Sequence, residues 1–259
     1  MKRLQIIFFL FVTLLFGNKL FAQDETNIKI NNGEEICDYL NEYCRKRSEI
    51  LDSIKNLKKS ISRDKQLNAN EFSLDHFTLG VEYFYVGDYT NALLELNKVE
   101  PYELPSDLAV YRGLIYLNQG KTDSALKEFN TAVGKNSDYS LAYFGRAEVY
   151  RHKRRYDEAL ENYNRALEKE FRFSKAFYGR GIVYLKRGDI FRQNKNEQLA
   201  EVSYKNALKD FNMVIEIELN RTNPETYLYR SKVYEALGDD ANAEQDRKTY
   251  HELNEKGDG

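Results

Sequence analysis

Five copies of one register run through this chain, and they constrain its fold more than any other feature. Gly80, Gly113, Ala147, Gly181 and Ser231 form a column of small residues, with Tyr83, Tyr116, Tyr150, Tyr184 and Tyr234 three places later. Ala92, Ala125, Ala159, Ala207 and Ala243 form a second small column. Four residues beyond it stand Leu96, Phe129, Tyr163, Phe211 and Arg247, and Val99, Ala132, Ala166, Val214 and Tyr250 close the set. Spacings of three and four place residues on one face of a helix, so each copy reads as two short helices. The small residues let the two helices approach, and the bulky ones fill the space between successive hairpins. One such hairpin cannot bury its apolar face alone, so the copies must stack.

The tyrosine column steps by 33, 34, 34 and 50 residues. The long step reflects an insertion at about 189–203, inside the fourth copy and between its helices. Its first half, from Ile190, is polar and loop-like. Leu199, Val202, Leu208, Phe211 and Ile215 then predict a second helix that starts early. The insertion reads either as harmless length variation or as a protruding element that contacts a partner. Gly87, Gly120, Gly188 and Gly238 punctuate the turns between first and second helices, and Arg247 replaces the aromatic in the last copy, as a solvent-facing end requires.

The stretches GDYTNALLEL, GKTDSALKEFNTAV and RRYDEALENYNRAL resemble second helices of the tetratricopeptide repeat, whose usual period is 34. The resemblance covers about 73–250 and departs in lacking the first-helix Trp and most repeat-end prolines. It implies an all-α fold, a right-handed superhelical solenoid of about five hairpins at 73–105, 106–139, 140–173, 174–223 and 224–250, with a tail at 251–259. It also implies a non-enzymatic scaffold or adaptor that binds a protein or peptide segment in a concave groove lined by the first helices. The corresponding positions are Phe77, Val81 and Phe84; Val110, Leu114 and Asn118; Phe144, Glu148, Arg151 and His152; Tyr178, Ile182 and Lys186; and Leu228, Lys232 and Glu235. The groove starts apolar and becomes charged. The Lys and Asn with which some members of the family grip a peptide C-terminus are missing near Phe77 and Val81. A structural subunit of a cell-envelope assembly is the alternative reading.

Before the repeats lie two other segments. Residues 1–22 have a basic start, Lys2 and Arg3, an apolar run at Leu4–Phe16 and a small residue, Ala22, before Gln23. That layout predicts a cleaved secretory signal peptide rather than a spanning helix, which needs about 20 apolar residues. The ending resembles signal peptides of Bacteroidetes-type bacteria, and no cysteine at the cleavage point supports a lipoprotein. The expectation is a periplasmic or secreted protein with no membrane span after signal removal. After a polar leader, 34–62 carries Ile36, Leu40, Tyr43, Arg47, Ile50, Ile54, Leu57 and Ile61 at alternating spacings of four and three. This predicts one amphipathic helix that either packs on the array, covering its apolar groove or capping its end, or mediates self-association. Cys37 and Cys44 lie on it, seven residues apart. In a helix their Cα atoms would be roughly 10.5 Å apart, too far for an internal disulfide at a limit of about 7 Å. That leaves two half-buried thiols or a bridge between chains.

Chemistry is poorly signalled. The formal net charge of −2 becomes −5 once Lys2, Arg3 and Lys19 leave with the signal, which argues against a nucleic-acid partner. His76, His152 and His251 have no metal-ligand spacing. No P-loop, nucleophile elbow or dinucleotide loop occurs. The expectation is no enzyme activity and no cofactor. An enzyme site hidden between helices is the weakest alternative.

Overall fold

The computed structural model describes residues 35–37, 44–63, 69–99, 105–219 and 222–257. The expected signal peptide at 1–22 and the leader after it lie outside the described residues. Two compact units meet in sequence at Ser137 and Asp138.

The first unit opens with two short strands, β1 (Glu35–Cys37) and β2 (Cys44–Lys46), paired antiparallel. Helix α1 follows (Arg47–Arg63), then α2 (Ala69–Tyr85) with α3 (Tyr89–Leu96), and α4 (Pro105–Asn118) with α5 (Thr122–Lys135). The single helix expected over 34–62 is therefore corrected: it begins only at Arg47. Ile36 falls on β1, and Leu40 and Tyr43 lie outside the described residues. Its C-terminal half packs on α2, where Ile50 and Ile54 are buried, Ser53 donates to Glu82 at 3.0 Å, and the Arg47 guanidinium reaches the Val86 carbonyl at 3.4 Å. Arg47 thus stands at the last turn of α2. An amphipathic helix without such support is marginal in water.

The second unit holds three hairpins: α6 (Ser140–His152) with α7 (Tyr156–Lys169), α8 (Ser174–Gln193) with α9 (Glu197–Glu218), and α10 (Pro224–Leu237) with α11 (Asp240–Gly257). At Gly80, Gly113 and Gly181 the small column of the first helix takes the bulky residue of the second, Leu96, Phe129 and Phe211. A Cβ on Gly113 would lie 2.8 Å from Phe129, and one on Gly181 3.0 Å from Phe211. The bulky residues therefore lock the two helices of one hairpin as well as filling between neighbours. Ala92, Ala125, Ala159 and Ala207 are fully buried behind them. The expected tail at 251–259 is helical as far as Gly257.

Gly87, Gly120 and Gly238 adopt φ of +81, +71 and +80° at their turns, which a glycine does at no steric cost. Gly188 does not. It sits inside α8, where a Cβ would stand 2.4 Å from Tyr204 Cε1. The turn moves to Lys195, with φ +60°, and the Asn196 side chain caps α9 by accepting from Leu199 N. The first half of the insertion is thus helical rather than loop-like: the ring of Tyr204 fits on Gly188, so α8 and α9 stay paired past the usual turn. Asp88 and Asp239 cap α3 and α11 in the same manner, through Asn91 N and Asn242 N.

Candidate protein-binding surface

The positions expected to face a groove divide sharply by exposure. In the first unit Phe77, Val81, Phe84, Val110 and Leu114 are all at most 3% exposed. The ring of Tyr111 on α4 meets Phe77 and Phe84 edge-on, with centroids 5.7 and 5.4 Å away. These side chains are spent on packing α2 against α4. The polar contacts of α1 fall on Glu82 and Val86 instead. Asn118 is half-buried, donating to the Leu114 carbonyl at 2.9 Å and accepting from the Tyr89 hydroxyl at 3.4 Å.

In the second unit Phe144, Glu148 and Ile182 are buried, with the Phe144 ring against Phe173 at 5.1 Å. Arg151, His152, Tyr178 and Leu228 are half-buried, and Lys186, Lys232 and Glu235 are exposed. The structure therefore brings together a partly accessible set on α6, α8 and α10 that is polar and aromatic, backed by buried residues.

At the base of this set lies a buried triad. The Glu148 carboxylate accepts from Arg151 Nη2 at 2.8 Å, from Arg151 Nε at 3.2 Å, and from the Tyr163 hydroxyl of α7. Burial is the largest influence and disfavours the charge on Arg151, but Glu148 and Tyr163 together outweigh it and hold the guanidinium above its ordinary pKa. Burial, then the charge of Glu148, push the Tyr163 hydroxyl well up. The triad is thus an ion pair with a neutral phenol donor.

Beside it, the Tyr178 ring meets Tyr229 of α10 edge-on at 5.8 Å. Burial foremost, and then the nearby Tyr229 and Glu225, raise the Tyr178 hydroxyl well above its usual range. The Lys232 ammonium lies 5.0 Å from the centre of the Tyr229 ring, a cation–π distance. Burial raises the Glu225 carboxyl above 4.5, and Lys232 opposes the shift. The Tyr250 hydroxyl lies 3.5 Å from Glu225 Oε1. Such a wall offers a cation, phenol hydroxyls and flat rings, which suit a polypeptide segment. Among the described residues no group of three or more His, Cys, Asp or Glu is placed to hold a metal ion. His76 is buried with Nδ1 2.6 Å from Glu95 Oε2.

Sequence reasoning missed Gly179, Tyr229, Glu225 and Tyr250. A Cβ on Gly179 would fall 2.4 Å from the Tyr163 oxygen and 2.8 Å from Glu148 Oε1, so this glycine makes room for the triad. The Gly-Arg-Gly run at 179–181 was the available signal. Tyr229 stands one step after the expected position Leu228 and Glu225 three before it, while Tyr250 was read only as a packing position. Also missed was a repeated clamp. Arg180 grips Asp210 through two bonds of 2.8 and 2.7 Å and reaches Asn164 at 2.6 Å. Arg230 grips Asp246 through two of 2.7 Å and reaches Asn212 at 2.7 Å. Arginine recurs directly before the small column at 112, 146, 180 and 230.

These features define an α-hairpin repeat protein. Residues 111–174 match the model of the tetratricopeptide repeat. Among solved structures it is similar to MamA, with a TM-score of 0.53 and 19% identity over 72% of this chain and 93% of that one. It is also similar to a tetratricopeptide repeat protein from Parabacteroides merdae, with a TM-score of 0.54 and 20% identity over 77% of this chain and 72% of that one. At these identities the likeness concerns the fold. No curated protein matches the sequence.

Proposed function

We propose that the protein is a non-enzymatic interaction scaffold, and that its second unit binds a peptide or protein segment along the first-helix faces of α6, α8 and α10. The observation that carries this reading is the division of the expected groove positions. Those of the first unit are almost wholly consumed by packing. The second unit keeps Tyr178 partly exposed and Lys232 and Glu235 exposed beside the Glu148–Arg151–Tyr163 triad. Aromatic rings with fixed backs and an arginine are the residue types that dominate binding energy at protein interfaces. The apparent signal peptide supports action in the periplasm or outside the cell. Among the described residues no helix is long and apolar enough to cross a membrane.

Affinity capture from an envelope fraction, quantified by mass spectrometry, tests the surface. A partner held by wild type should be lost with Tyr178→Ala and weakened with Lys232→Glu. Capture insensitive to both changes would place binding elsewhere, on the opposite face or on the α8–α9 extension. For export, Edman sequencing of protein from a fractionated host should begin at Gln23. An intact Met1 in the cytoplasm would overturn that part.

A further inference from the structure

In the β1–β2 pair Glu35 stands opposite Lys46, Ile36 opposite Arg45, and Cys37 opposite Cys44. The chain has two cysteines, and the backbone places them on the same rung. Directly opposed residues of an antiparallel pair have Cα atoms about 4.5 or 5.5 Å apart, depending on whether the rung is hydrogen-bonded. Disulfides span Cα separations of roughly 4.4–6.8 Å. Either type of rung therefore meets the requirement without backbone movement. The helical reading of this stretch excluded an internal bridge, and the strand pairing removes that objection. The element also needs help: an isolated two-stranded hairpin is marginal in water, and these strands have three residues each.

We infer that Cys37 and Cys44 form an intramolecular disulfide that closes the β1–β2 hairpin at the entrance to α1. Cys44 lies three residues before Arg47, the first residue of α1, whose guanidinium reaches the Val86 carbonyl. The bridge fixes the direction in which the chain enters the helix that packs on α2. Formation requires a disulfide-bearing oxidant such as glutathione disulfide or a thiol–disulfide oxidoreductase. One cysteine thiolate attacks it, forming a mixed disulfide and releasing one thiol. The second cysteine thiolate then attacks the protein-side sulfur and releases the other. Two protons leave the cysteines, and the oxidant takes up two electrons. In the cell this rests on the proposed export, since disulfides persist in oxidising compartments.

No Lys or Arg lies between Lys29 and Arg45, so both cysteines fall in one tryptic peptide, Ile30–Arg45. The full-length protein is reduced, equilibrated with glutathione disulfide, alkylated without reductant, digested and weighed. The expected peptide is two hydrogens lighter than the dithiol and carries no alkyl group. In Cys37→Ser and in Cys44→Ser the remaining cysteine should carry either an alkyl group or glutathione. Wild-type peptide alkylated at both sites, or linked to a second chain, overturns the inference in any compartment. If the pair closes in glutathione buffer but is reduced in protein taken directly from cells, the bridge stands and the export reading fails.

Discussion

Glu148 holds the guanidinium of Arg151 and the hydroxyl of Tyr163 from a position with 2% exposure. Truncating one member of such a pair leaves the other charge buried without compensation, a loss of about 3–5 kcal/mol. Glu148→Ala should therefore lower the urea midpoint strongly. Gly179→Ala should destabilise as well, although alanine is the better helix former by roughly 1 kcal/mol. The added methyl overlaps Tyr163 and Glu148, and overpacking costs about 1–3 kcal/mol. In a Tyr163→Phe background that cost should shrink, and a double-mutant cycle in urea reads the difference. A third residue gives a pH dependence. Burial raises the Glu170 carboxyl above 4.5, against a lowering by the bond from Ser140. A raised folded-state pKa contributes stability below the unfolded value and loses it as pH rises through the folded one. Glu170→Gln keeps an oxygen for Ser140, so it should melt like wild type near pH 4 and above wild type at pH 7. A constant difference across that range would refute the assignment.

At the scale of elements, the hairpins were legible from the register because packing of small on bulky residues dictates it. What was not legible is where a helix stops. Gly188 looks like the turn glycines at 87, 120 and 238, yet it is helical because Tyr204 covers it. Gly188→Ala should disrupt the α8–α9 extension: its Cβ would meet the ring at 2.4 Å, and the melting temperature should fall. The equivalent change at Gly120 meets no atom within 4 Å and acts only through its φ of +71°. The start of α1 was misread for a related reason. The apolar spacing continues back to Ile36, but the helix begins at Arg47, whose guanidinium reaches the Val86 carbonyl just past the end of α2. Removing 47–63 should uncover the face of α2 against Ile50 and Ile54 and raise binding of a hydrophobic dye. Unchanged dye binding with intact helicity would argue against that packing role.

For the whole molecule, sequence alone determined that this is a chain of paired helices, how many pairs, and which residues lie at their seams. Those facts follow from local spacing, and the same spacing appears five times. It also supplied the charge balance and the layout of residues 1–22. Tertiary structure alone decided which expected groove positions remain available. Phe77 and Phe84 are closed off by Tyr111, which lies 34 and 27 residues away in the chain, whereas Tyr178 stays half-buried and Lys232 exposed. Tertiary packing likewise joined Glu148 to Tyr163, Arg180 to Asp210 and Arg230 to Asp246, and the strand pairing set Cys37 opposite Cys44. The physical reason is common to all of them. Periodicity tells which face of a helix is sticky, but burial depends on what arrives to cover it, and that partner is distant in sequence.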